Sequence, residues 1–419
     1  MRIAVIGTGV AGMTVAHRLH ADHDLTIFEA NNYYGGHTAT VDVERSGRHY
    51  AIDTGFIVFN DWTYPNFIAL LNEVGAAWQF SNMSFSFRCE RTGLEYNGTS
   101  VNSLFAQRRN ALRPAFLRMV ADILRFNARA RELLAGNDDT LTLGEYLRQC
   151  RYSRAFTERY IVPMGKAIWS ATEAGLLAFP ARFFVEFFDR HGFLNVNNRP
   201  QWRSVRGGSR EYARLLVAPF VSRIRLSTPV AAVKRTTQGV TLRTRSGDVE
   251  HFDQVIFACH SDQALALLQD PSPQEREVLG AFPYQSNEAL LHTDTRMLPR
   301  LPLARAAWNY HALARPQEGV ALTYDMNVLM ALGAPEKFLV TLNRSADIDP
   351  AKVLRSFVYE HPVYTPAAVA AQRRRREISG VNHTHYCGAY WRYGFHEDGV
   401  VSGQWVAAEL AAAKQRAAA

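Results

Sequence analysis

The residues best placed to do chemistry stand at the N-terminus. They are Gly7-Thr8-Gly9-Val10-Ala11-Gly12 and, about 20 residues on, Glu29. Glycine at the first position lets the chain turn sharply. At the second it lets the backbone approach a pyrophosphate, and at the third it lets a helix pack close to a strand. Val10 and Ala11 would open that helix, whose first N–H groups and positive dipole end favour phosphate. Glu29, with Ala30 beside it, has the spacing of an acid that accepts from a ribose hydroxyl. The set points to a dinucleotide. A glycine turn with no ligand is the alternative, and the flanking elements weigh against it.

Those elements are strand, helix and strand. Arg2-Ile3-Ala4-Val5-Ile6 is an apolar, β-branched run that reads as a buried strand. Met13, Ala16 and Leu19 fall at helical spacing, and Leu25-Thr26-Ile27-Phe28 is a second strand ending at Glu29. Gly35-Gly36 then follow, with His37 after them. A second glycine turn suggests FAD rather than NAD, whose binding unit does not need it; taken alone, the doublet could be a surface turn. At the other end, Thr384 to Cys387 reads as a strand and Val400 to Leu410 as a helix beginning after Gly399. Asp398 sits where an acid favours the helix dipole and can cap.

A chain of 419 residues exceeds the ~250–300 that one core supports, so two domains are expected. No apolar run reaches the ~18 residues needed to span a bilayer. The N-terminus lacks the basic and apolar regions of a signal peptide, so a cytoplasmic protein is expected. Cys89, Cys150, Cys259 and Cys387 form no CxxC pair, which argues against a zinc site, and no metal is expected. A net charge of +8 suits an anionic partner. No nucleic-acid motif is present, which leaves an anionic cofactor or membrane surface.

Residues 108–134 form the longest periodic segment. Leu112, Phe116, Met119, Val120, Ile123 and Leu134 make one stripe, with Arg118, Arg125 and Arg129 opposite. Such a helix can lie on a membrane; a solvated face of an ordinary packed helix is the commoner alternative. Phe179, Phe183, Phe184, Phe187 and Phe188 read as core by default and otherwise as an apolar slot.

On the glycine loop, Glu29, Gly35-Gly36, the segment Ala51–Asn60, Arg206-Gly207-Gly208 and the loop Gly388–Gly399, the chain resembles the flavin amine oxidase and phytoene desaturase superfamily. Members usually carry arginine after the glycine doublet. Here His37 stands in its place, which weighs against an amine oxidase. The resemblance implies an α/β (α+β) fold with a Rossmann-type FAD-binding domain from residues 1–75, 203–281 and 380–419. A discontinuous substrate domain of mixed sheet and helices would comprise 76–202 and 282–379. It implies one FAD, non-covalent, with Thr54, Gly55 and Phe56 passing near the flavin and Val230 pairing with the adenine. Gly394, Glu397, Asp398, Gly399 and Val400 would lie beside the ring, Asp398 receiving a ribityl hydroxyl.

The wording Gly-Phe-His-Glu-Asp-Gly narrows the resemblance to bacterial amine-oxidase-like flavoproteins associated with cyclopropane-fatty-acyl-phospholipid synthase. It implies an FAD-dependent oxidoreductase that dehydrogenates an apolar lipid, such as a methylated or cyclopropane acyl chain. It further implies a peripheral place on the anionic inner membrane face and a partner lipid-modifying enzyme. The alternatives are a flavin amine oxidase, with Trp391 and Tyr393 as an aromatic cage, and a non-catalytic flavoprotein accessory to a lipid enzyme. Tyr390, Trp391 and His396 are the candidate catalytic residues, and no catalytic base is identified.

Overall fold

The computed structural model describes the chain from Met1 to Ala418 apart from Asn137, Pro316 and Glu318. The N-terminal run Arg2–Ile6 is the central strand of a five-stranded parallel sheet. The order is Ile224–Arg225, Asp24–Phe28, Arg2–Ile6, Gln254–Phe257, Thr384–Tyr386. Ile3, Ala4 and Val5 have no exposed surface, which is why the run is continuously apolar rather than alternating. Helix Val10–Leu19 follows the glycine loop, and the C-terminal helix His396–Ala418 lies along it. Gly399 and Gly403 permit that approach: a Cβ at Gly403 would stand 2.7 Å from the Ala11 carbonyl oxygen, and one at Gly399 2.5 Å from Val10 Cγ1.

An antiparallel meander, Val230–Thr236, Gly239–Thr244 and Val249–Phe252, packs Val233, Leu242 and Phe252 against Ala4, Ile6 and Phe28. Strands Val249–Phe252 and Gln254–Phe257 are separated at Asp253, which accepts from the Arg2 backbone N–H at 2.7 Å.

A seven-stranded mixed sheet forms the second body of structure. Its order is Val353–Pro362, Tyr284–His292, Leu339–Leu342, Leu322–Asp325, Trp308–Ala312, Phe85–Cys89, Glu95–Asn97. Only the pair Trp308–Ala312 with Phe85–Cys89 is parallel. Leu291, Leu322, Val340, Tyr310 and Phe87 on its apolar face share a core with the hairpin Thr40–Arg45/Arg48–Asp53.

The phenylalanine-rich segment is core. Phe179 and Phe187 pack on buried Trp169 with ring centroids 5.4 and 4.6 Å away, and Phe184 and Phe188 stack at 4.2 Å.

The segment 108–134 is not one helix. Pro114 starts the α-helix Pro114–Arg129, and 3-10 turns at Arg108–Leu112 and Ala130–Ala135 flank it. Leu112 therefore falls out of phase and is 86% exposed, while Phe116, Met119 and Phe126 are buried. No helix among the described residues is long and apolar enough to cross a membrane.

Candidate functional site

The carboxyl ends of the parallel strands carry the glycine loop, Cys259-His260 and Cys387-Gly388, the place where open α/β sheets bind ligands. Two glycine turns meet there. Gly35 N–H donates to the Thr8 carbonyl at 3.1 Å, and a Cβ on Gly36 (φ +58°) would stand 3.2 Å from Gly9 Cα. Gly9 itself faces open space, with nothing within 4 Å of where a Cβ would be. It is the N-cap of helix Val10–Leu19 and offers no side-chain cap. The N–H groups of Val10, Ala11 and Gly12 thus point from the helix start without a partner among the described residues.

Glu29 is buried at the end of its strand. Its Oε2 accepts from the Thr8 N–H at 3.0 Å and from the Thr8 hydroxyl, and its Oε1 accepts from the Asn31 N–H and Nδ2 at 2.9 and 3.0 Å. Ala30 beside it is exposed. Val230 opens the meander, with its side chain in the core beside Ile6 and Phe28.

Towards the other end of the site, Phe56 N–H donates to the His37 carbonyl at 2.8 Å, and Thr54 Oγ1 lies 2.8 Å from Tyr359 OH. Gly55 is needed because a Cβ there would stand 2.3 Å from that same His37 oxygen. The His37 ring lies 5.1 Å from Tyr359, 5.4 Å from His361 and 6.4 Å from His260, and its Nε2 is buried without a partner. Burial, then the neighbouring imidazoles, pushes His37 down to about 3 and His361 to about 4. His37 is therefore a neutral hydrogen-bonding group at neutral pH, not the fixed charge that an arginine would bring.

The C-terminal helix begins at His396, four residues before the expected start at Val400, so Glu397 and Asp398 lie in its first turn. Glu397 faces another helix: its Oε1 accepts from the Asn66 N–H and Nδ2 at 3.2 and 2.6 Å, and its Oε2 accepts from the Phe67 N–H at 2.9 Å. Both oxygens thereby hold the start of helix Pro65–Val74. Asp398 Oδ2 accepts from the N–H groups of Tyr393 and Phe395 at 3.2 and 2.9 Å, and Arg392 stands 3.4 Å from its Oδ1. Burial outweighs these contacts and raises Asp398 to about 6. It borders a cavity of about 250 Å³ lined also by Tyr64, His191, Tyr393 and Phe395. Gly394 has φ +93°, and Val400 is core.

His396 stacks on Phe56 at 3.5 Å, with Nε2 3.1 Å from Thr38 Oγ1 and 2.9 Å from Tyr212 OH. A ring so engaged orients the loop. Tyr390 and Trp391 pack on Phe282 at 5.1 and 5.6 Å, each with its polar atom buried and unpartnered. Tyr393 lies in the other core, 4.8 Å from Phe183, so Trp391 and Tyr393 do not face each other as a cage. Cys259 and Cys387 are free thiols. Burial pushes Cys259 up to about 12 and Cys387 up as well, which makes both poor nucleophiles for a tether.

Asp53 is the acid that directly precedes Thr54-Gly55 in the segment Ala51–Asn60. It is fully buried, and its Oδ1 accepts from the Ser209 N–H and Oγ at 2.8 Å each and from Thr40 Oγ1 at 2.6 Å. It thus ties the hairpin to the Gly207-Gly208-Ser209 turn. Its Oδ2 has no partner. Burial raises it to about 7, against the hydrogen bonds of Thr40 and Ser209. With an unfolded value near ~3.9, the unfolded chain sheds this proton first, so the group lowers stability as pH rises from about 4 to 7. Asp53→Asn is expected to flatten the stability–pH curve in that window, by up to ~1.4 kcal/mol per pH unit. Urea unfolding at pH 5 and pH 8 reads the effect, and parallel curves for the two proteins would refute it.

These features fit FAD. The open ground before Gly9 and the free N–H groups of the helix start suit a pyrophosphate, and Glu29, whose two oxygens are taken by Thr8 and Asn31, stands beside them. The unpartnered Tyr390 OH and His37 Nε2 are spare polar atoms in the surrounding loops.

A family model described as flavin containing amine oxidoreductase matches residues 10–305. Zeta-carotene desaturase of Solanum lycopersicum is 38% identical over 77 residues, which is 18% of this chain and 12% of that protein. A candidate flavin-containing monoamine oxidase of Mycobacterium tuberculosis, AofH, is 25% identical over 291 residues, which is 66% of this chain and 61% of its own length. Both matches thus span less than two thirds of those relatives. The structure of cyclohexylamine oxidase from Brevibacterium oxydans shares the fold, with a TM-score of 0.73 at 16% identity over 99% of each chain.

Proposed function

The chain belongs to the flavin-containing amine oxidoreductase family, and on that premise we propose that it is an FAD-dependent oxidoreductase that dehydrogenates an apolar lipid, such as a methylated or cyclopropane fatty-acyl chain of a phospholipid. Bound FAD supplies the hydride acceptor for such a reaction. The protein's task is to position a saturated segment, keep water away and let a proton depart from the adjacent carbon.

The observation that carries the reading is the mixed sheet. Its apolar face, Phe87, Tyr310, Leu322, Val340 and Leu291, is closed in the core, and none of its seven strands contains a lysine. Amine oxidation on this kind of scaffold often relies on a lysine that holds a water. The chain has five lysines. Lys337 pairs with Asp325 at 2.8 Å and Lys352 with Asp294 at 3.7 Å. Lys234 is exposed on the meander, and Lys414 lies outside the described side chains. Lys166 remains, half-buried in helix Val162–Trp169. The separation of Trp391 from Tyr393 argues in the same direction. The desaturase likeness, over 77 residues, also favours an apolar substrate.

An anaerobic absorbance titration of the purified flavoprotein tests this. Bleaching of the flavin bands by phospholipid carrying methylated or cyclopropane chains is the expected result. Bleaching by amines alone would replace the reading with amine oxidation. Bands that persist with both would favour an accessory to a lipid-modifying enzyme.

A further inference from the structure

We infer that helix Pro114–Arg129 and the turn before it form a docking surface for an anionic lipid bilayer, on which the helix lies parallel to the membrane plane. The buried side of this helix is Phe116, Met119, Ile123 and Phe126. Its solvent side is not polar throughout. Leu117, Ala121, Leu124 and Ala128 recur at i, i+4, i+7 and i+11 and are exposed, Leu117 by 45% and Leu124 by 53%. Leu112 projects at the head of the same helix, 86% exposed. At 3.6 residues per turn Leu117 to Ala128 form one row about 16 Å long, and Arg118, Arg125 and Arg129 form a second row beside it.

The charge around the row chooses the occupant. Residues 101–131 hold seven arginines and one acid, Asp122. That acid is buried and already paired with Arg118 at 3.3 Å and Arg125 at 3.0 Å. Arg109 and Arg113 have no ion-pair partner among the described residues. Leucines that enter the acyl boundary, with arginines reaching the phosphates, suit an anionic membrane. A second copy of the chain does not suit: a symmetric contact would press two strongly cationic faces together. The inference rests on this surface alone, and its failure would leave the proposed reaction standing.

Co-sedimentation of the flavoprotein with vesicles tests it, using phosphatidylcholine alone and phosphatidylcholine mixed with phosphatidylglycerol. Binding to the anionic vesicles only, weakened by salt, is expected. Arg109→Ala/Arg113→Ala should weaken it about thirty-fold, at ~1 kcal/mol for each arginine. Leu117→Glu should abolish it while leaving the thermal unfolding curve in place, because the side chain is exposed. Equal binding to both vesicles, or binding untouched by these variants, would overturn the inference. So would absence from the anionic pellet at low salt, which would turn the face to an acidic protein. A dimer that Leu117→Glu dissociates would assign it to a second copy.

Discussion

Gly9→Val should give a protein that folds and does not hold its flavin. The position is the N-cap of the first helix, with φ −59°, an angle that any residue adopts. A Cβ there meets nothing within 4 Å, so the substitution costs the fold no more than about 1 kcal/mol, the worth of the lost N-cap preference. The same open ground is where a pyrophosphate must reach the helix N–H groups, and a branched side chain would occupy it. We expect affinity for FAD to fall at least about a hundred-fold, ~2.7 kcal/mol.

Gly12→Ala provides the contrast within the same motif. Its Cβ would stand 2.1 Å from the Gly7 carbonyl oxygen and 3.1 Å from Ala258 Cβ, neither of which can swing aside. That variant should lose stability first and flavin only in consequence. Flavin absorbance per chain after gel filtration, measured beside the unfolding curve of the apoprotein, separates the two. Full flavin occupancy in Gly9→Val would remove the cradle from the site.

The contrast also indicates which parts of the site a sequence can carry. The glycine loop is legible because its geometry is local: the strand, the turn and the helix start lie within some 20 residues, and Gly7 and Gly12 answer to a neighbour in that stretch or to the adjacent strand. Contacts made across the chain leave no such trace. Asp53 meets Ser209, Glu397 meets Asn66 and Phe67, and His396 meets Thr38 and Tyr212 only once the layers have assembled.

Periodicity misled where one residue reset its phase. Pro114 restarts the helix within 108–134, so Leu112 leaves the stripe, and the leucines that face solvent cannot be told from those that face the core. Gly399 misled in the opposite sense. It reads as the residue before a helix, yet it lies inside one because it must pass Val10 closely. Trp391 and Tyr393 are neighbours in sequence and belong to different cores, so adjacency alone did not make a cage.

Arg235→Met should be the most damaging substitution outside the glycine loop, and it should add a pH dependence between pH 5 and pH 8 that Glu275 does not give the parent. Arg235 is buried on the meander strand Val230–Thr236 and donates through both terminal nitrogens to the equally buried Glu275, at 2.9 Å on one side. It also reaches Asp270 at 3.2 Å and Thr384 Oγ1 at 3.4 Å, and Tyr386 OH donates to Glu275 at 2.6 Å. The pair thus fastens the edge strand Thr384–Tyr386, from which the loop bearing Gly388 and Tyr390 departs.

Burial by itself would raise the Glu275 pKa. The hydrogen bonds of Arg235 and Tyr386 outweigh it and hold the carboxyl below its ordinary value. A depressed pKa contributes stability that is present above the unfolded value, ~4.3, and lost as pH falls through the folded one. Without the guanidinium the carboxylate is left buried and unpaired, a loss of about 3–5 kcal/mol. The carboxyl then titrates above its unfolded value, so going from pH 8 to pH 5 should recover stability in the variant, a gain that Glu275 does not give the parent because its depressed pKa acts only below ~4.3. Arg235→Met/Glu275→Leu should recover most of the loss at neutral pH, because it removes the stranded charge. Urea unfolding of the three proteins at pH 5 and pH 8 decides the matter, and a single variant with the parent's pH slope would show that Arg235 does not govern Glu275.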